Sequence, residues 1–103
     1  MKLSFFDTHS HISSDKIRTS ARRIVSLEAK AFYLNVSTSL EESSKVLKDS
    51  NLLENVYCAV GIHPLYIDKE QKCMEDAMQE LSEIIIRNFK KVVAIGECGL
   101  DFY

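Results

Sequence analysis

Apolar residues gather along the chain in four short runs, at 3–6, 31–36 (AFYLNV), 56–62 (VYCAVGI) and 92–95 (VVAI). Each is of strand length and rich in β-branched or aromatic side chains. The last three show no strict polar alternation, the pattern of strands buried on both faces of a parallel sheet. Between the runs the spacing changes to three- and four-residue steps. Over 15–30, Ile17, Ala21, Ile24, Val25 and Leu27 form an apolar stripe with Arg18, Arg22 and Arg23 among the remaining positions, which predicts an amphipathic helix. Ser39 with Glu42 predicts a capping box that opens a helix through Val46 and Leu47. A second box, Asp68 with Gln71, predicts the start of the longest helix, which carries Met74, Ala77, Met78, Leu81, Ile84 and Ile85 on its core face and runs towards Asn88. The predicted order is βαβαβαβ, an α/β protein with parallel strands and crossover helices.

Repeated right-handed βα units build either an open doubly wound sheet or a (β/α)8 barrel. The polar residues separate the two. His9 and His11 follow the first run, His63 the third and Glu97 the fourth, so every candidate chemical group stands at a strand's C-terminal end, where a barrel enzyme gathers its site. An open sheet that binds nucleotides uses a glycine-rich first turn, and the turn after the first run has no glycine. No internal repeat or linker divides the chain, and 1–103 is expected to be a single domain.

Composition narrows the setting. With 103 residues, a formal charge of −2 and 46% hydrophobic residues, the chain has the balance of one small globular unit. It has no stretch of about eighteen apolar residues and no signal-like start, so a cytoplasmic protein without membrane partners is expected. Cys58, Cys73 and Cys98 form no CxxC pair and are expected to be free thiols, Cys58 and Cys73 buried ones. The slight acidity argues against a broad basic face for nucleic acid. Nucleic acid as a substrate stays open, because divalent cations can supply the positive charge.

His9 and His11, two apart on an extended segment, point to the same side and can pinch one metal ion. Glu97, placed straight after an apolar strand, needs a cation or several donors to meet its charge. Two imidazoles and a carboxylate suit Zn, Mn, Fe or Mg, with Mg the least comfortable. Bonding of Glu97 to neighbouring loop amides is the structural alternative. His63, in GIHP, is assigned a substrate contact, beside the alternative of a hydrogen-bonded structural role. Asp7 is a candidate to orient an imidazole from behind and Asp101 to anchor the GLD turn, with turn formation the alternative for both.

The segments FFDTHSHI, VYCAVGIHP and VVAIGECGLDFY, in this order and at these separations, resemble the TatD family of metal-dependent deoxyribonucleases within the amidohydrolase-like TIM barrels. The resemblance runs through essentially the whole chain. It implies that His9, His11 and Glu97 are metal ligands, with Glu97 bridging two divalent ions, and that His63 lines the pocket near the scissile phosphate. It further implies hydrolysis of phosphodiester bonds in DNA, often from a 3′ end, with Glu97 and His63 as catalytic residues. A complete barrel takes about 250 residues, so the expected fold is its first half, strands one to four, with the C-terminal half absent. Two further histidines and an aspartate of the family have no counterpart here. Such a half would leave an inner face and two edges in water, and is expected to pair with a second half-barrel or another copy, or to aggregate. A catalytically dead paralogue and a different amidohydrolase are the competing readings; GECGLDFY argues against the latter, since other branches commonly bridge their metals by a modified lysine.

Overall fold

The computed structural model of the protein describes residues 4–27, 30–69 and 73–101. Its elements follow the order β1 (Phe5–Ser10), α1 (Arg18–Leu27), β2 (Ala31–Val36), α2 (Leu40–Asn51), β3 (Val56–Val60), a 3-10 helix (Pro64–Lys69), α3 (Met74–Arg87) and β4 (Val92–Ile95). The four strands form one parallel sheet in the order β1-β2-β3-β4. Each strand therefore lies beside its predecessor, the progression of a barrel wall and not of a doubly wound sheet whose order reverses.

The core lies between the sheet and the helices. Leu40 and Val46 of α2, Cys58 and Val60 of β3, Ala77 and Leu81 of α3, and Val92 of β4 form the main cluster together with Ile62. Val25 of α1 packs with Ile12 and Val56 in a second. Alternation along a strand turns Tyr57 and Ala59 to the opposite face of the sheet. On that face Phe6 stacks against its register partner Phe32, with ring centroids 6.3 Å apart. The edge strands leave large apolar side chains in solvent: Phe5 is 65% exposed, Phe6 51%, Val93 55% and Ile95 66%.

Several expectations are corrected. The first strand reaches Ser10 and does not stop at Phe6, while Leu3 lies outside the described residues. Main-chain pairing with β2 carries it through the polar residues, and Ser10 Oγ donates to Leu34 O at 2.7 Å. His9 consequently lies within β1, and only His11 follows it. Helix α1 begins at Arg18, because residues 14–17 are taken up by turns in which Ser14 N donates to His11 O and Ile17 N to Ser14 O. Of its apolar stripe only Val25 is buried; Ile17, Ile24 and Leu27 are exposed.

Strand β3 ends at Val60, where the Gly61 amide turns to Ser37 Oγ instead of a strand carbonyl. Ser39 does cap α2, accepting from Glu42 N at 3.1 Å, but the Glu42 carboxylate answers to Thr38 N rather than Ser39 N. The second box, predicted at Asp68 with Gln71, does not open α3. Asp68 is absorbed in the 3-10 helix, Gln71 lies outside the described residues, and α3 is preceded by Cys73, which makes no capping bond. Glu75 and Asp76 in the first turn of α3 complement its dipole. Met74 and Met78, expected in the core, are 42% and 50% exposed and rim a small apolar cavity of about 210 Å³ beside Gly61 and Ile95. Cys58 is buried as expected, but Cys73 is exposed, as is Cys98, and all three are free.

Candidate metal centre

At the C-terminal end of the sheet, side chains borne by β1 and by the segment after β4 converge. A flat sheet would hold β1 and β4 about 14 Å apart, three strand spacings. Here His9 Nε2 of β1 and Glu97 Oε1, two residues past β4, are 3.5 Å apart. His11 Nε2 is 3.2 Å from His9 Nε2. Ligand atoms of His9, His11 and Glu97 all lie within 4.8 Å of one another, and this is the one such group among the described residues. Two donors each about 2.1 Å from a common ion, at tetrahedral to octahedral angles, stand roughly 3.0–3.4 Å apart. The His9–His11 and His9–Glu97 spacings lie at or close to that range, while His11 and Glu97 stand further apart, within 4.8 Å; the set of two imidazoles and one carboxylate is that of open catalytic zinc sites.

The orientation of His11 is fixed from behind. Its Nδ1 faces Val36 O at 3.2 Å. A carbonyl oxygen only accepts, so the proton sits on Nδ1 and the Nε2 lone pair is directed into the site, the arrangement expected of a metal-ligating imidazole. Asp7 reaches the site differently from expectation: its Oδ1 accepts from the main-chain N–H of His9 at 3.1 Å, so it shapes the backbone rather than the ring. Glu97 is held through its own amide, which donates to Ser37 O at 2.8 Å. Two residues later Gly99 adopts φ of +125°, a conformation that disfavours a side chain and turns the chain back after the ligand.

His63 is not part of the trio. Its main-chain amide donates to Thr38 O at 2.8 Å, and its Nδ1 accepts from Leu65 N at 3.1 Å. That leaves Nε2 as the proton-bearing nitrogen of the neutral ring, a donor for a substrate oxygen. The ring stands edge-on to Tyr66, with centroids 6.1 Å apart. His63, Glu97 and Asp101 line one open cleft of about 360 Å³. A second groove, about 640 Å³, runs from His11 between the β1–α1 and β2–α2 loops past Thr38, Lys45 and Tyr66.

Sequence reasoning missed the exit of β2. Val36 O, Ser37 O and Thr38 O, three successive carbonyls, accept respectively from His11, Glu97 and His63. It also missed Asp49, fully buried in α2, whose carboxylate takes two bonds from Arg18, at 2.8 and 2.6 Å, and one from Ser13 Oγ at 2.7 Å. Asn35 completes this network, donating to Ser13 Oγ and accepting from Ile12 N. It pins the loop just after His11. Burial pushes the Asp49 carboxyl up, but the Arg18 and Ser13 bonds outweigh it and hold the group below the ordinary carboxylate value.

The profile of the family described as TatD related DNase matches residues 6–103, nearly the whole chain. The chain belongs to this family. Among TatD relatives, an uncharacterised metal-dependent hydrolase of Buchnera aphidicola (subsp. Baizongia pistaciae) is 36% identical over 103 residues, covering 94% of this chain and 37% of the relative. The 3′-5′ ssDNA/RNA exonuclease TatD of Salmonella typhimurium is 36% identical over 69 residues, 67% of this chain and 25% of that protein. The crystal structure of the TatD homologue YjjV from Escherichia coli K12 superposes with a TM-score of 0.78 at 27% identity, over 96% of this chain and 38% of YjjV. The match thus spans from a quarter to little more than a third of the length of these TatD relatives, and its four βα-connected strands correspond to the first half of the TatD barrel.

Proposed function

We propose that this chain is the N-terminal half of a metal-dependent phosphodiesterase acting on DNA, a cytoplasmic TatD-type exonuclease working from the 3′ end. The observation that carries the reading is the meeting of His9, His11 and Glu97 at chelating distance, from opposite edges of the sheet, in a chain of this family. The Salmonella relative's description as a 3′-5′ ssDNA/RNA exonuclease supports the substrate class. In this reading His9, His11 and Glu97 would hold divalent metal.

Divalent ions bound there supply a positive centre that polarises the phosphoryl group and lowers the pKa of an attacking water. The chain's own residues do the rest. His11, locked by Val36 O, keeps its lone pair directed into the site. His63 donates its Nε2 proton to a phosphate oxygen and holds the scissile group in the cleft beside Glu97. Asp7 and Asp101 act from behind, on the His9 backbone and the turn after Glu97.

A nuclease assay of the full-length protein on single-stranded DNA labelled at the 5′ end tests the reading. Stepwise, metal-dependent shortening from the 3′ end, absent in Glu97→Ala, is the expected outcome. Metal-dependent release from phosphate monoesters or amides without any attack on DNA would overturn it in favour of another hydrolase.

A further inference from the structure

Ser37 touches none of the candidate ligands with its side chain, yet it is fully buried directly behind them. Its hydroxyl has two neighbours. Gly61 N donates to Ser37 Oγ at 3.3 Å, and Ser43 Oγ lies 2.8 Å away. Ser43 Oγ in turn donates to Ser39 O at 2.8 Å. Each hydroxyl has one proton, so the direction of the chain is set: Gly61 N–H to Ser37 Oγ, Ser37 O–H to Ser43 Oγ, Ser43 O–H to Ser39 O. This relay ties the exit of β3 to the exit of β2 and to the first turn of α2.

Gly61 then sits between two backbones. A Cβ added to it would stand 2.5 Å from Glu97 O and 2.8 Å from the carbonyl carbon of Gly96. Only glycine lets the segment bearing Glu97 pass this close. On either side of the contact the same segment is bonded down, Gly96 N to Val60 O at 3.0 Å and Glu97 N to Ser37 O at 2.8 Å. The height of Glu97 above the end of the sheet is therefore set by three layers: Ser37, Gly61 against it, and the 96–97 backbone against Gly61.

We propose that Ser37 and Gly61 are positioning residues of the metal centre, which hold Glu97 in register with His9 and His11 through this stack. The inference rests on the metal-site reading above and names residues that reading does not use. Removing the Ser37 hydroxyl leaves the Gly61 amide without its acceptor, so that the β3 exit relaxes and Glu97 moves with it. A Cβ at Gly61 forces the same movement directly.

The test compares full-length wild type with Ser37→Ala, Gly61→Ala, Ser37→Cys and the control Ser50→Ala. Ser50 is equally buried and donates to Val46 O within α2, away from the site. Two quantities are measured: zinc affinity by calorimetry, and amide exchange of the metal-free protein by NMR. Zinc affinity is expected to fall about 10- to 100-fold in Ser37→Ala and Gly61→Ala, less in Ser37→Cys, and not in Ser50→Ala. Exchange in Ser37→Ala is expected to quicken about tenfold or more at Gly61 and Glu97 while Cys58, bonded to Lys91 O, keeps its protection. Undiminished affinity in folded Ser37→Ala, or exchange that quickens equally at Cys58, overturns the proposal. Wild type that binds no zinc or manganese removes the metal-site reading instead, and the exchange comparison still decides whether Ser37 positions Glu97.

Discussion

At the scale of single residues, chemistry follows from what each side chain faces. Cys58, buried in the main cluster, has its thiol pushed up to about 11 by desolvation, partly offset by the Ser50 bond and the Lys91 charge. Cys73 and Cys98 are exposed. A thiol reagent at pH 8 is therefore expected to label two cysteines quickly in the native protein and the third only on unfolding; three equally fast thiols would contradict the packing. His63 presents a proton donor to the cleft without joining the trio. Under the proposed function, His63→Ala is expected to lower kcat/KM for DNA roughly one hundredfold while metal content stays that of wild type, and loss of metal in this variant would place His63 among the ligands instead. The trio was legible as a candidate because the i, i+2 spacing puts His9 and His11 on one side and Glu97 follows an apolar strand, and because the three motifs together resemble the family. The Val36–Thr38 carbonyls were not, since a main-chain acceptor carries no residue signature, and Asp7 was legible as a neighbour but not in its bond to the backbone.

At the scale of elements, α1 and α2 are joined by an ion pair whose acid is buried and whose base is partly exposed. Asp49 is fully buried and Arg18 answers both its oxygens. Truncating Asp49 to Ala strands Arg18 and the Ser13 hydroxyl, and is expected to cost about 3 kcal/mol, read as a lower denaturation midpoint. The pH dependence has a definite sign. The folded carboxyl titrates below its ordinary value of 3.8, so its contribution is present above that value and is lost as pH falls through the depressed one. The stability gap between wild type and Asp49→Ala should thus narrow as pH falls below 3.8 through the depressed value, and a constant gap down to acid would contradict the assignment. The four strands and three helices were legible from periodicity, and Ser39 from its capping pattern. Their limits were not: polar β1 residues pair through the backbone, and the cap of α3 was misplaced because the chain spends Asp68 on a 3-10 turn that apolar spacing does not announce.

At the scale of the whole molecule, the sheet is covered by helices on one side and bears Phe6, Phe32 and Tyr57 on the other, with exposed Phe5 on β1 and Ile95 on β4 at its edges. Residues 1–103 expressed by themselves are expected to self-associate or aggregate, because such faces seek cover; a monodisperse monomer in light scattering with one cooperative calorimetric transition would contradict this. Among the described residues no helix is long and apolar enough to cross a membrane. The barrel-like progression was legible from the order of strands and the placement of polar residues at their ends, and the convergence of side chains from β1 and from the segment after β4 is its consequence in three dimensions. The central claim is that this convergence makes a metal site. Titration of the full-length protein with zinc and manganese, beside His9→Ala and Glu97→Ala, tests it most directly. The account predicts at least one ion bound per chain by wild type and its loss or a fall of about a hundredfold in affinity in both variants; a folded wild type that binds neither metal, or variants that bind as wild type does, would contradict it.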